Sequence, residues 1–321
     1  MRKIVVSLLA LLLVLSFSGV SMAKSYAGKK VLFVDSYHEG YAWSDGITAG
    51  IKSSLDGTGI ELKVIRMDTK RNNGDDFKKA AAQKAKSAIE EYKPDVVIAA
   101  DDNASKYLIV PYFKDASLPF VFCGVNWDAS GYGFPAKNVT GMVEVTPVPQ
   151  LLEQLKAYAK GNRVGFLGPD ILTGRKEAEN YRKVFGLEIT DYYAKDFEDY
   201  KKGFLKLQDQ VDILLLASDG GLYKDHAVEL KSFIEANTKI PTGTSYDFMA
   251  DFALVDFAKV AEEQGGWAAE TALKILDGAA PKSIPIAKNE KGKLIINTRI
   301  AKNLGVEIPF EVLESADQVI E

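Results

Sequence analysis

The residues able to do chemistry fall in short clusters, each just after a run of apolar side chains. Ser36, Tyr37, His38, Glu39, Tyr41 and Trp43 follow the run 31–34, and Asp101, Asp102 and Asn103 follow 96–99. Asn126 and Trp127 come after 120–122. Asp170 and Thr173 come after 164–167, Ser218 and Asp219 after 211–216, and Tyr246 and Asp247 after a run opening at 240. Aromatic faces desolvate a flat or ring-shaped molecule while short polar side chains fix its orientation, so this is the inventory of a small-molecule binding cleft.

Catalytic readings do not assemble. No G-x-S-x-G elbow is present. The two histidines are His38 and His226; a triad through Ser218, Asp219 and His226 would need His226 to leave what reads as a helix surface. Two isolated histidines and one cysteine have no zinc-site spacing. The segment 168–176 lacks the Lys-Ser/Thr ending of a phosphate loop. Asp101 and Asp102, being adjacent, point apart. No catalysis, cofactor or metal is expected. The acids have a second reading. Helices after Asp102, Asp170 and Asp219 could offer N–H groups to an acceptor, and the same acids could instead serve as N-caps. Asp102 and Asp219 fit either role equally. Trp43 is assigned to the cleft, and Trp127 to the cleft or to lobe packing. Glu39, Asp101, Asp102, Asp170, Asp219 and Asp247 outnumber Arg71, Arg175 and Lys224, which suits a neutral or amine-bearing ligand better than a polyanion.

The elements that must position these clusters alternate strand and helix, the signature of parallel βαβ units. Strands are expected at 31–34, 60–67, 96–99 and 120–122. Phe77, Ala81, Ala85, Ala88, Ile89 and Tyr92 form a helical stripe that Pro94 ends. The pattern restarts after Pro147 and Pro149, with helices at 151–158, 175–185, 197–207 and 223–235. Strands there are expected at 164–167, 187–192, 211–216 and from 240. Two such sets in series imply an α/β protein of two doubly wound parallel-sheet lobes. Joints are expected at 139–146, 246–253 and 284–294, which places 24–142 plus 250–285 in an N-terminal lobe and 143–249 plus 286–321 in a C-terminal lobe.

Arg2 and Lys3, the apolar run 4–17, and Ser21 and Ala23 ahead of Lys24 have the layout of a cleaved secretory signal peptide over residues 1–23. The lone Cys123 is far from that point, so no lipoprotein anchor is expected, and it reads as a buried small apolar residue. The expected location is periplasmic, with no membrane insertion after cleavage. A formal charge of −4 argues against nucleic acid as partner.

Residues 262–269, the segment Ala272-Leu273-Lys274-Ile275-Leu276-Asp277-Gly278, then Ile284-Pro285-Ile286, 294–297, 301–305, Ile308-Pro309 and Ala316-Asp317 resemble the ABC-transporter substrate-binding protein family that includes aromatic amino-acid binders. Residues 36–43 are similar to a subset that also supplies sensing ectodomains of histidine kinases. The resemblance implies the type I periplasmic binding fold with a three-crossing hinge. It also implies an amino acid-like ligand held between the lobes, and as partner an inner-membrane ABC permease or, in the alternative, a membrane sensor.

Overall fold

A computed structural model of the chain describes residues 25–72, 74–218, 222 and 226–321. The expected signal peptide, Asp219 and the side chain of Thr173 therefore lie outside the described residues.

The first sheet has the strand order β11-β5-β4-β3-β1-β2. Its members are β1 (Lys30–Asp35), β2 (Glu61–Arg66), β3 (Val96–Ala100), β4 (Phe120–Asn126), β5 (Val139–Glu144) and the short β11 (Ala287–Lys288), all paired in parallel. Strands that are apolar through their centres, such as β1 over 31–34 and the whole of β3, are what a sheet covered on both faces requires. Alternate side chains serve opposite layers. Val31 and Phe33 pack with Ile47 and Ile51 of α1 (Ala42–Leu55). Leu32 and Val34 share the other layer with Ala82, Ala85 and Ile89 of α2 (Asp75–Tyr92) and with Leu108 and Ile109 of a π-helix over Ser105–Phe113. Cys123 is free and buried in the α1 layer, as expected.

The second sheet runs β13-β12-β10-β9-β8-β6-β7. It comprises β6 (Val164–Pro169), β7 (Ile189–Ala194), β8 (Ile213–Leu216), β9 (Thr242–Thr244), β10 (Val255–Lys259), β12 (Gly292–Asn297) and β13 (Gln318–Ile320). Helices Val148–Lys156, Leu172–Phe185, Phe197–Gln208 and Ala227–Asn237 cover it. The chain is thus α/β with two parallel-dominated sheets. One departure is the antiparallel pairing of β10 with β12.

Two strands absent from the sequence reading correct the joints. β5 extends the first sheet through Glu144. β10 pairs with β9 on one side and β12 on the other, so 255–259 belong with the second sheet and not with the first lobe. The expected joint at 246–253 is instead a 3-10 turn (Asp247–Phe252) leading into β10, and the return to the first sheet comes at Val260. Residues 287–288 likewise sit in the first sheet, against β5.

After Val260 the chain forms α8 (Ala261–Leu276), the eighth helix if Asp101–Ala104 is counted as the third. It packs on α1, with Ala268, Ala269 and Ala272 fully buried in the same layer as Ile47 and Ile51. The two backbones touch. A methyl group on Gly50 would fall on the carbonyl of Glu262, and one on Gly265 would fall on the carbonyl of Ile47. Glycine is required here for close approach.

Candidate functional site

The carboxyl ends of the first sheet bring one set of expected residues together. Asp101 follows β3 with φ 70, and its carboxylate is buried. Trp43, on the first turn of α1, donates its Nε1–H to Asp101 Oδ1 at 3.0 Å. The other oxygen, Oδ2, is buried with no partner among the described residues. The space for this carboxylate comes from Gly124, at φ 68: a side chain there would lie 2.8 Å from Asp101 Oδ1. Gln264 of α8 accepts the Gly124 N–H at 2.9 Å and so fixes that bend from across the layer. Burial pushes the Asp101 carboxyl well above the ordinary carboxylate range, helped by the charges of Glu144 and Asp35.

Tyr37 lies beside this group. Burial, with Asp101 and Glu144 nearby, raises its phenol strongly. Its ring meets Tyr41 edge-on at 5.4 Å, and Lys70 lies over both rings. His38 sits 5.9 Å from Tyr41 with a buried Nδ1 that has no partner among the described residues.

Other expected residues have structural partners. Ser36 ties strand ends together: its Oγ donates to the Ala100 carbonyl and accepts the Ala104 N–H. Asn103 donates to Thr69 Oγ1. Asp102 is no helix cap; it accepts from Asn126 Nδ2 at 2.7 Å and from the Tyr132 hydroxyl at 2.7 Å. Asp170 pairs with Arg175, and Ile171 holds the N-cap position. Asp247 accepts the N–H of Phe248. Ser218 ends the described stretch after β8, half-buried.

The two sheets meet at residues the sequence reading mostly did not single out. Glu144 ends β5 and Lys259 ends β10, and their side chains form an ion pair. The Lys259 ammonium lies over the Trp43 ring, 5.7 Å from its centroid, and over the Tyr246 ring at 5.9 Å. Tyr246 donates its hydroxyl to Glu177 at 2.8 Å, and Tyr181 donates to the same oxygen at 2.6 Å. Burial raises the Glu177 carboxyl, while the two hydroxyls and the Lys259 charge oppose that rise. Trp127 packs against Tyr181 and Phe185 of the facing helix, which gives it the lobe-packing role. Glu144 had a signal in sequence: it is the lone charge in the apolar run 139–145. Lys259 and Glu177 had none, because they reach the site only through the crossings.

Chemically the centre offers two aromatic faces, three buried carboxyl groups and one ammonium already engaged. Among the described residues no three His, Cys, Asp or Glu side chains are placed to hold a metal ion. None of the helices there is long and apolar enough to cross a membrane.

The family profile described as ABC transporter substrate binding protein matches residues 39–320. No curated protein matches the chain. Among solved structures it is similar to the ligand-free, open form of a substrate-binding protein with adhesive properties from Clostridium difficile. The identity is 21%, the TM-score 0.72, and the match covers 91% of this chain and 99% of that one. An ABC domain from Streptococcus pneumonia in complex with L-Trp matches at 20% identity and TM-score 0.57, over 91% and 99% of the two chains. A periplasmic ribose ABC transporter protein from Conexibacter woesei matches at 17% and 0.57, with the same coverage. At these identities the likeness is one of fold, the type I periplasmic binding fold.

Proposed function

The chain belongs to the ABC transporter substrate-binding protein family, and on that premise we propose that it captures a small amino acid-like molecule between its two lobes and delivers it to an inner-membrane ABC permease. The observation that carries this reading is the meeting of Trp43 from the first lobe and Tyr246 from the second around one point at the crossings. A ligand there touches both lobes only when they close on it, so binding shifts the open–closed equilibrium by its extra contacts in the closed state. The buried acids around that point favour a ligand bearing an amine. Export follows from the leader: cleavage after Ala23 releases a periplasmic protein without a lipid anchor. The lobes we assign are 25–144 with 261–288, and 148–259 with 292–321. The protein binds its ligand without turning it over.

A thermal-shift screen against amino acids, sugars, nucleosides and small acids tests the reading. A true ligand at 100 times its dissociation constant stabilises by about 2.7 kcal/mol. Stabilisation by an amine-bearing amino acid is expected, and stabilisation only by sugars or small acids would overturn the ligand class. Intact mass of periplasmic material tests export: a chain beginning within a few residues of Lys24 is expected, and a retained Met1 or an acyl adduct would refute it.

A further inference from the structure

The Lys259 ammonium is enclosed by groups from both lobes. Glu144 pairs with it. Trp43 presents a ring face from one lobe and Tyr246 a ring face from the other. Each ring is held at its polar edge by a different buried acid, Trp43 by Asp101 and Tyr246 by Glu177. The faces are therefore left for a cation before any ligand arrives. Pinned aromatic walls and a carboxylate are the components of a cation site. Asp101 adds a buried oxygen with no partner among the described residues. An anion drawn to Lys259 would instead meet the electron-rich ring faces together with Glu144, Asp101 and Glu177.

We propose that this cage is the subsite for the ligand's ammonium group, and that Lys259 is the chain's own stand-in, filling the cage while no ligand is bound. The proposal rests on the capture reading above and adds to it the polarity and the address of the group recognised. Lys259 is the last residue of β10, one position before the crossing at Val260, so bending there moves its stem relative to Trp43. A ligand ammonium replaces the Lys259 ammonium against the same rings and carboxylate, and the stand-in keeps those charges compensated until then. The cost of evicting a tethered side chain also selects against weak cations, since Lys259 competes at high effective concentration.

The experiment uses choline and its uncharged carbon isostere, titrated by calorimetry into wild type, Lys259→Met and Lys259→Gln. Both substitutions remove the tethered ammonium while leaving Glu144 and the rings. The expected result is choline affinity at least about tenfold higher in the variants than in wild type, with no such gain for the isostere. Adding Trp43→Leu to Lys259→Met should abolish the gain. Two variants are used so that a folding defect in one, read from its melting curve, leaves the other as the test. Unchanged choline affinity in both variants, or an equal gain for the isostere, would overturn the cage. That outcome is distinct from failure of the capture reading, which shows as the absence of any stabilising ligand for the wild-type protein.

Discussion

Trp43 is fixed at its edge by Asp101, carries the Lys259 ammonium over its ring and packs partly against the α1 layer, so its loss removes a binding platform at the margin of the core. Trp43→Ala should weaken ligand binding by roughly 1–3 kcal/mol, about five- to 150-fold, in an unliganded protein that still folds. Calorimetric titration decides it, and wild-type affinity would take Trp43 out of the site. Asp256 behaves differently. Neither of its oxygens has a partner among the described residues, and Thr244 Oγ1, on the strand beside it, is equally bare. Burial, reinforced by Asp247 and opposed by Lys293, pushes its carboxyl up to about 8. Between about pH 4 and 8 the native protein keeps a proton that the unfolded chain has released, so stability falls as pH rises through that window and then levels. The slope is at most about 1.4 kcal/mol per pH unit. Urea denaturation should therefore show Asp256→Asn losing less stability than wild type between those limits; parallel losses would refute the assignment. The clusters after each strand were legible in sequence because parallel strands deliver their carboxyl ends to one side. What each residue touches there was not. Asp102 and Asn126, both read as ligand contacts, spend their polar groups on each other.

Helix α1 meets α8 backbone to backbone, and two effects of opposite sign compete at that crossing. Alanine for glycine inside a helix gains about 0.5–1 kcal/mol. Overpacking costs typically about 1–3 kcal/mol. The second should prevail at Gly50 and Gly265, because the atoms in the way are carbonyls that cannot rotate aside. At Gly266 the nearest atoms are Ser54 Oγ at 3.4 Å and the Gly50 oxygen at 4.0 Å, which is ordinary contact. Gly50→Ala and Gly265→Ala should lower the urea midpoint, and Gly266→Ala should hold or raise it; a stabilised Gly265→Ala would refute the close-packing account. Elements with a continuous apolar run, such as β1, β3 and β8, were readable from the sequence because a strand covered on both faces has no polar positions. β10 was not. Asp256 and Lys259 interrupt it, one buried without a partner among the described residues and the other turned to the crossing, so its composition reads as a connection between lobes.

Across the whole molecule, two sheets share three crossings, and a ligand held at those crossings should draw the lobes together. Small-angle scattering is expected to show a smaller radius of gyration at saturating ligand than without it, and an unchanged value would count against closure. The repeated βαβ pattern made two lobes visible in sequence. The crossings were placed less well because chain segments near a hinge satisfy no single periodicity. The α1–α8 contact also bears on how the molecule assembles. Gly50 and Gly265 are roughly two hundred residues apart, and closing a loop of that length must precede the reward of packing it. The layer on that face of the first sheet stays open until α8 has emerged, however early its strands appear. A chain built this way should remain without its finished core until nearly all of it has been delivered. That fits the export we propose, in which a polypeptide is threaded unfolded through a channel and premature folding on the near side would be a trap.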